Sequence, residues 1–311
     1  MSILVVGAGP IGIEYTRILQ STGRSPLVVG RSAEGCKKLT EVTGVEALAG
    51  GIEAIAAARE LPPDAIVAVS EDQLGNAAIT LMKHGVRRLL VEKPGGVNAA
   101  DIRAVHAAAR HHGAEVYLAY NRRFYASTLE AQRIAAEDGG IQSCTFEFTE
   151  WTHRIEALNL SSVKTENWFW HNAVHVIDLA FHMAGWPVAM SAYSGGALKW
   201  HPRARFSGAG RTSNGALFSY SADWQAPGRW GVELMTARHR LVFRPLEQLH
   251  VQAIRTLDLK RIAIDDSLDQ KFKPGYYRQV QSFLQSPAEL LTLEEQIQHL
   301  DVYERILWGD G

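Results

Sequence analysis

Apolar residues in the first 120 positions fall into short bursts, separated by longer stretches where they recur every three or four residues. The bursts at residues 3–6, 26–29, 65–69, 88–91 and 116–119 read as strands. The stretches at 11–22, 33–42, 76–84 and 99–112 read as helices, the first with Ile11, Tyr15, Ile18 and Leu19 on one face. Short apolar strands alternating with helices make parallel βαβ units that cross over right-handedly. The expected result is a doubly wound parallel sheet.

Near Asn121–Tyr125 the pattern changes. Residues 145–149, 189–194, 216–222 and 232–237 read as strands, with shorter strand-like pieces at 241–244, 250–254 and 261–264. One strong helix is expected at 171–184, and two terminal helices at 276–284 and 293–306. Residues 200–205 and 208–214 read as loops. Many strands with few helices point to an α+β domain on a mostly antiparallel sheet. The expected domains are residues 1–122 and 123–311.

Composition adds exclusions. Hydrophobic residues at 46% and charged residues at 21% are ordinary for a globular enzyme. A net charge of −1 gives no electrostatic reason to expect nucleic acid or an anionic membrane as partner. Cys36 and Cys144 are too few for a disulfide framework, and their spacing is not that of a metal knuckle. The first apolar run follows no basic segment and stops at a glycine turn, so it reads as a strand and not as a leader. A reducing, cytoplasmic setting is expected.

The glycine turn Gly7-Ala8-Gly9-Pro10-Ile11-Gly12 joins the first strand to the first helix. Of its glycines, one allows the tight turn, one lets backbone amides approach a pyrophosphate, and one lets helix and strand pack closely. The helix N-terminus then favours the phosphates through its free N–H groups and dipole. The second strand ends Val28-Val29-Gly30-Arg31-Ser32, where an NAD site usually has a carboxylate for the ribose hydroxyls. A guanidinium and a hydroxyl suit a 2′-phosphate better, so NADP is favoured over NAD. Arg31 lying over the adenine without discriminating is the other reading.

The fourth strand ends in Glu92-Lys93-Pro94-Gly95-Gly96. A lysine beside a nicotinamide can donate to the reacting oxygen as charge develops there; a surface lysine paired with Glu92 is the plainer reading. With Tyr120-Asn121-Arg122-Arg123-Phe124, the span His171–Asp178 and Pro274-Gly275-Tyr276, these motifs resemble the glucose–fructose oxidoreductase/inositol dehydrogenase (Gfo/Idh/MocA) family. The resemblance implies a Rossmann domain followed by a domain with a large open sheet whose outer face often forms the oligomer interface, here a homodimer or homotetramer. It also implies a catalytic, substrate-facing Lys93, commonly with a cis peptide before the proline. Ser70 and Glu92 join the glycine turn, Gly30, Arg31, Ser32 and Lys93 as expected cofactor contacts. The segment Val69-Ser70-Glu71-Asp72-Gln73 lacks the proline common in the family.

For the helix at 171–184 three readings stay open. The family's His-x-x-Asp pattern falls on His175 and Asp178, which makes His175 a proton-transfer residue, with an unperturbed pKa suited to neutral pH. Alternatively His171, His175 and Asp178 are metal ligands, or the histidines are bonded within a core, the preferred reading for His182. No metal is expected. Where the family commonly has an acidic residue, four positions before the histidine, this chain has His171, which either joins a proton relay or marks a different substrate. Asn121, Arg122, Arg123, Trp168, Trp170, Asn172 and Lys93, with both histidines, complete the expected substrate contacts. The implied activity is an NAD(P)-dependent oxidoreductase acting on a secondary carbon of a sugar, cyclitol or nucleotide-activated sugar. An imine or unsaturated-ring reductase, and a dinucleotide-sensing regulatory protein without turnover, are the alternatives.

Overall fold

The computed structural model describes residues 3–310. The chain divides into two units: residues up to Tyr120 together with Lys271–Gln298, and Asn121–Gln270 together with the chain from His299 onward.

In the first unit six strands lie parallel: β1 (Leu4–Val6), β2 (Leu27–Gly30), β3 (Ala47–Ala49), β4 (Asp64–Val67), β5 (Arg88–Glu92) and β6 (Glu115–Ala119). Their spatial order is β3-β2-β1-β4-β5-β6. Strands β1, β4 and β5 are buried almost throughout, because helices cover both faces and leave no solvent side for polar residues. The order reverses between β1 and β4, where such sheets open a ligand crevice beyond the strand ends. The helix after β1, Pro10–Ser21, has Gly9 as its cap and Pro10 at its first position, where a missing N–H costs nothing. It buries Gly12, Tyr15, Ile18 and Leu19 against the sheet. Strand β3 has no counterpart in the sequence pattern, since three residues, two half-buried and one exposed, are too few to display a period.

The sequence pattern put residues 271–298 in the second domain, and the structure places them in the first. Tyr276, Val280 and Phe283 of the helix Tyr276–Gln285 are buried. The Phe283 ring lies 6.2 Å from that of Tyr117. Leu291 then pairs antiparallel with Leu118, so the strand Leu291–Thr292 covers the open edge of β6. Chain order hides this because the partners are remote, 184 residues apart for Tyr276 and Glu92.

The second unit is an eight-stranded sheet of β7 (Ser143–Glu147), β8 (Pro187–Gly195), β9 (Arg205–Thr212), β10 (Leu217–Asp223), β11 (Gly231–Met235), β12 (His239–Phe243), β13 (His250–Ala253) and β14 (Lys260–Arg261). The order is β14-β13-β12-β11-β7-β10-β9-β8, antiparallel except for β7 beside β10. Strand β9 takes up residues 208–212 of the loop expected at 208–214, while 200–204 have no regular structure, in line with the loop expected at 200–205. Its glycines mark close approach. A Cβ on Gly208 would sit 2.4 Å from the Tyr220 hydroxyl, and one on Gly210 would sit 2.1 Å from the Ala189 carbonyl oxygen.

The helix Val174–Ala184 lies on one face of this sheet, its Phe181 ring 5.3 Å from Phe146 and 5.1 Å from Phe218. Along β10 the residues alternate, Phe218, Tyr220 and Ala222 inward and Leu217, Ser219 and Ser221 outward. Among the described residues no helix is long and apolar enough to cross a membrane.

Candidate functional site

The glycine turn has the geometry that phosphate binding requires. Gly7 adopts φ +120°, and a Cβ there would meet the Ala68 carbonyl oxygen at 2.2 Å. On Gly12 a Cβ would lie 1.8 Å from the Gly7 carbonyl oxygen, so only glycine lets the helix approach the turn. Gly9 is different: nothing lies within 4 Å of its Cβ direction, and the open side is where an anion can approach. The first N–H groups of the helix that begins at Pro10 and Ile11 are the donors it would meet.

Beside the turn lies a crevice of about 490 Å³, lined in part by Gly7, Gly9, Gly30, Arg31, Ser32 and Ser70. At Gly30 a Cβ would clash with Cys36 Sγ at 2.5 Å, so this strand end carries no side chain into the crevice. Arg31 is exposed, whereas Ser32 caps the next helix, its hydroxyl accepting from the Gly35 N–H at 3.1 Å. These residues fit a dinucleotide.

The lysine turn sits at the end of β5, next to β4 in the same sheet. Lys93 is half-buried and its peptide to Pro94 is cis, as the resemblance implied. Glu92, expected as a cofactor contact, instead lies buried beneath the turn. Its Oε1 accepts from the Tyr15 hydroxyl at 2.8 Å and from the Tyr276 hydroxyl at 2.9 Å. Gln279 Nε2 donates in turn to the Tyr15 hydroxyl at 3.0 Å. Burial, followed by the Glu92 charge, pushes the Tyr15 phenol well above its ordinary pKa, so it stays a donor.

In the second unit the histidine segment is not one regular helix. Phe169–Ala173 forms a π-helical turn ahead of Val174–Ala184, so His171 and His175 are not separated by one plain α-helical turn. Both imidazoles are buried. Arg122 Nη1 lies 2.6 Å from His175 Nδ1 and 3.2 Å from Asn121 Oδ1. A guanidinium only donates, so His175 Nδ1 is the lone-pair nitrogen and the ring proton sits on Nε2. The same guanidinium lies over the Trp230 ring at 5.0 Å, and that ring is 6.0 Å from His175.

Other expected site residues separate from this group. Arg123 is buried and bidentate to Asp178, at 2.9 and 2.6 Å. Burial pushes the Asp178 carboxyl up and the guanidinium opposes it. Asp178 is therefore engaged in a core ion pair. Trp170 is also core, its ring 5.8 Å from Tyr303. His182 bonds Gln132 at 3.0 Å, and burial pushes it down to about 3, so it is a neutral core histidine. Among the described residues no group of three or more histidines, cysteines or acids is placed to hold a metal.

Glu150 was missed. It follows β7, in Phe146-Glu147-Phe148-Thr149-Glu150, where an acid closing an alternating apolar run was the available signal. It is 3% exposed. Trp230 Nε1 donates to its Oε1 at 3.2 Å, and Arg229 Nη1 lies 3.7 Å from Oε2. Burial pushes the carboxyl up to about 7, against Arg229 and the N–H groups of Trp230, Trp168 and Asn172, which favour the charged form. Desolvation wins.

That shift has a consequence for stability. Between about 4.5 and about 7 the folded protein keeps a proton on Glu150 that the unfolded chain has released, so this group lowers stability as pH rises through that window. Glu150→Gln should therefore raise stability near neutral and alkaline pH by an amount on the order of 2 kcal/mol, and the gain should vanish below the window. Melting temperatures of both proteins across pH check this; a pH-independent difference would contradict it.

Residues 1–120 match the family model GFO_IDH_MocA, "Oxidoreductase family, NAD-binding Rossmann fold". Among solved structures, the chain is similar to UDP-N-acetylglucosamine 3-dehydrogenase GnnA from Acidithiobacillus ferrooxidans, at 14% identity and a TM-score of 0.73, over 99% of this chain and 96% of that one. A levoglucosan dehydrogenase in complex with NADH is similar at 17% identity and a TM-score of 0.76, over 98% and 95%. The WlbA dehydrogenase from Bordetella pertussis, in complex with NADH and UDP-GlcNAcA, is similar at 16% and 0.74, over 98% and 94%. At such identities the likeness is one of fold. No curated protein matches the chain in sequence.

Proposed function

We propose, for a chain whose residues 1–120 match the Gfo/Idh/MocA oxidoreductase family model, NADP-linked hydride transfer at a secondary carbon of a sugar, cyclitol or nucleotide-activated sugar. One observation carries the reading: a half-buried lysine at the end of β5, its turn anchored by Glu92, beside the strand whose end lines the dinucleotide crevice. Bound in that crevice, the nicotinamide supplies or accepts the hydride. Lys93 donates to the reacting oxygen and stabilises negative charge as an alcohol loses its proton or a carbonyl is reduced. His175 handles the proton through Nε2, and His171 assists or orients it. Taking a second proton at Nδ1 would require Arg122 to move off, since two donors cannot share that bond.

Gly7, Gly9 and Gly12 hold the pyrophosphate, and Arg31 reads a 2′-phosphate with the proton that the Ser32 hydroxyl still has to give. The similar dehydrogenases whose names specify levoglucosan or a UDP-sugar support a carbohydrate substrate. We place the protein in the cytoplasm as a homodimer or homotetramer. The outward side of the second sheet, with Ser207, Ala209, Ser219 and Ser221 beside exposed Tyr193 and Leu217, supports that assembly, because small side chains let a second flat surface approach.

Two measurements test this. Lys93→Ala should lower kcat roughly 10²- to 10³-fold while the dissociation constant for NADPH, followed by fluorescence, changes little; undiminished turnover would remove the mechanism. The wild type should show a higher kcat/KM with NADP than with NAD, and Arg31→Ala should cost about tenfold or more with NADP alone. A preference for NAD would refute the assignment of Arg31.

A further inference from the structure

Guanidinium groups gather around Trp151 in the second unit. The guanidinium carbon of Arg154 lies 4.3 Å from the centre of that ring, and that of Arg229 lies 4.9 Å from it. Arg229 is also 4.6 Å from the Trp230 ring, which has Arg122 over it at 5.0 Å. Arg122 in turn bonds His175 Nδ1. Arginine and indole thus alternate from Arg154 to the residue proposed to move the proton. Aromatic faces hold these cations in place without consuming their N–H groups.

The two outer arginines keep their donors. Each guanidinium has five N–H groups. Among the described residues, Arg154 makes no ion pair and its guanidinium donates to no acceptor. The carboxyl nearest the Arg229 guanidinium, Glu150, stands at 3.7 Å, beyond hydrogen-bond length. Arg154 is exposed, and the Arg229 side chain is 46% exposed. Trp151 lines a cleft of about 760 Å³ together with His153 and Gly228, the chain neighbours of Arg154 and Arg229. Lys199 adds a third cation to the wall, against the exposed acid Glu156. The volume is within the range of small-molecule sites, roughly 300–1,000 Å³.

We propose that Arg154 and Arg229 are a phosphoryl clamp at this cleft, and that the substrate is a phosphorylated saccharide and not a neutral sugar or cyclitol. One guanidinium already satisfies a carboxylate through a bidentate pair. Two beside a lysine match a phosphoryl group, with its three acceptor oxygens and charge of about −1.5 to −2. This deepens the carbohydrate-oxidoreductase reading and depends on it.

The test is calorimetric titration of the NADPH-saturated protein, in which the cofactor crevice is already filled, with glucose, glucuronate, glucose 1-phosphate and UDP-N-acetylglucosamine. At least one phosphorylated probe should bind more tightly than glucose and glucuronate. Arg154→Ala and Arg229→Ala should each weaken that binding about tenfold or more. Arg154→Lys should weaken it too, since an ammonium cannot reproduce the fork. NADPH affinity and melting temperature, unchanged in the Arg154 variants, verify folding. Tighter binding of UDP-N-acetylglucosamine identifies a nucleotide-activated sugar, and tighter binding of glucose 1-phosphate a sugar phosphate; either supports the clamp. Glucose or glucuronate binding as tightly as both phosphorylated probes, or wild-type affinity for them in Arg154→Ala, overturns the inference and leaves the oxidoreductase reading to its own test at Lys93. Failure of every probe to bind the wild type overturns both the inference and the carbohydrate assignment.

Discussion

The first unit depends on a carboxylate with little water around it. Glu92 is buried and takes two phenolic hydroxyls, one from the helix that follows the glycine turn and one from the C-terminal segment. Removing either donor would leave a buried acceptor short of a partner, a loss of about 1–3 kcal/mol. Those two bonds connect three pieces of chain distant in sequence: the cofactor helix, the end of β5 that carries Lys93, and the helix Tyr276–Gln285. The backbone of Lys93, the residue we propose to meet the reacting oxygen, is thereby referenced to the helix that would hold the phosphates. For a group that must meet an oxygen within hydrogen-bond distance, that rigidity is the relevant property.

In the second unit the charges divide into two kinds. Arg123 and Asp178 are a closed pair, bidentate and buried, and such a pair is worth little net stability although breaking it is costly. Arg122 and Glu150 are engaged differently: the guanidinium bonds an imidazole, and the buried carboxyl takes the Trp230 N–H with Arg229 at 3.7 Å. Trp230 lies between them, donating to Glu150 and stacked under Arg122. Neighbouring arginines, Arg122 and Arg123, thus have unrelated roles, which a sequence motif read as one unit does not separate.

The glycine turn, the parallel strands and the Glu-Lys-Pro turn were legible because each rests on local chemistry: positive φ, apolar runs, a proline after a strand. What escaped was long-range. The C-terminal segment looked like part of the second domain because nothing local records that Tyr276 meets Glu92 or that Leu291 pairs with Leu118. Strand β9 was hidden by glycines that serve packing against Tyr220. The π-helical turn at Phe169–Ala173 broke an i, i+4 spacing that seemed secure. Glu150 escaped notice because what sets it apart is burial, which nothing local records.

Electron density for the protein with NADP and a bound substrate would test the central claim most directly. The account predicts Lys93 Nζ within hydrogen-bond reach, about 2.7–3.2 Å, of the oxygen on the carbon that faces the nicotinamide. A substrate whose reacting oxygen is held by another group, with Lys93 Nζ several ångströms beyond that reach, would contradict it.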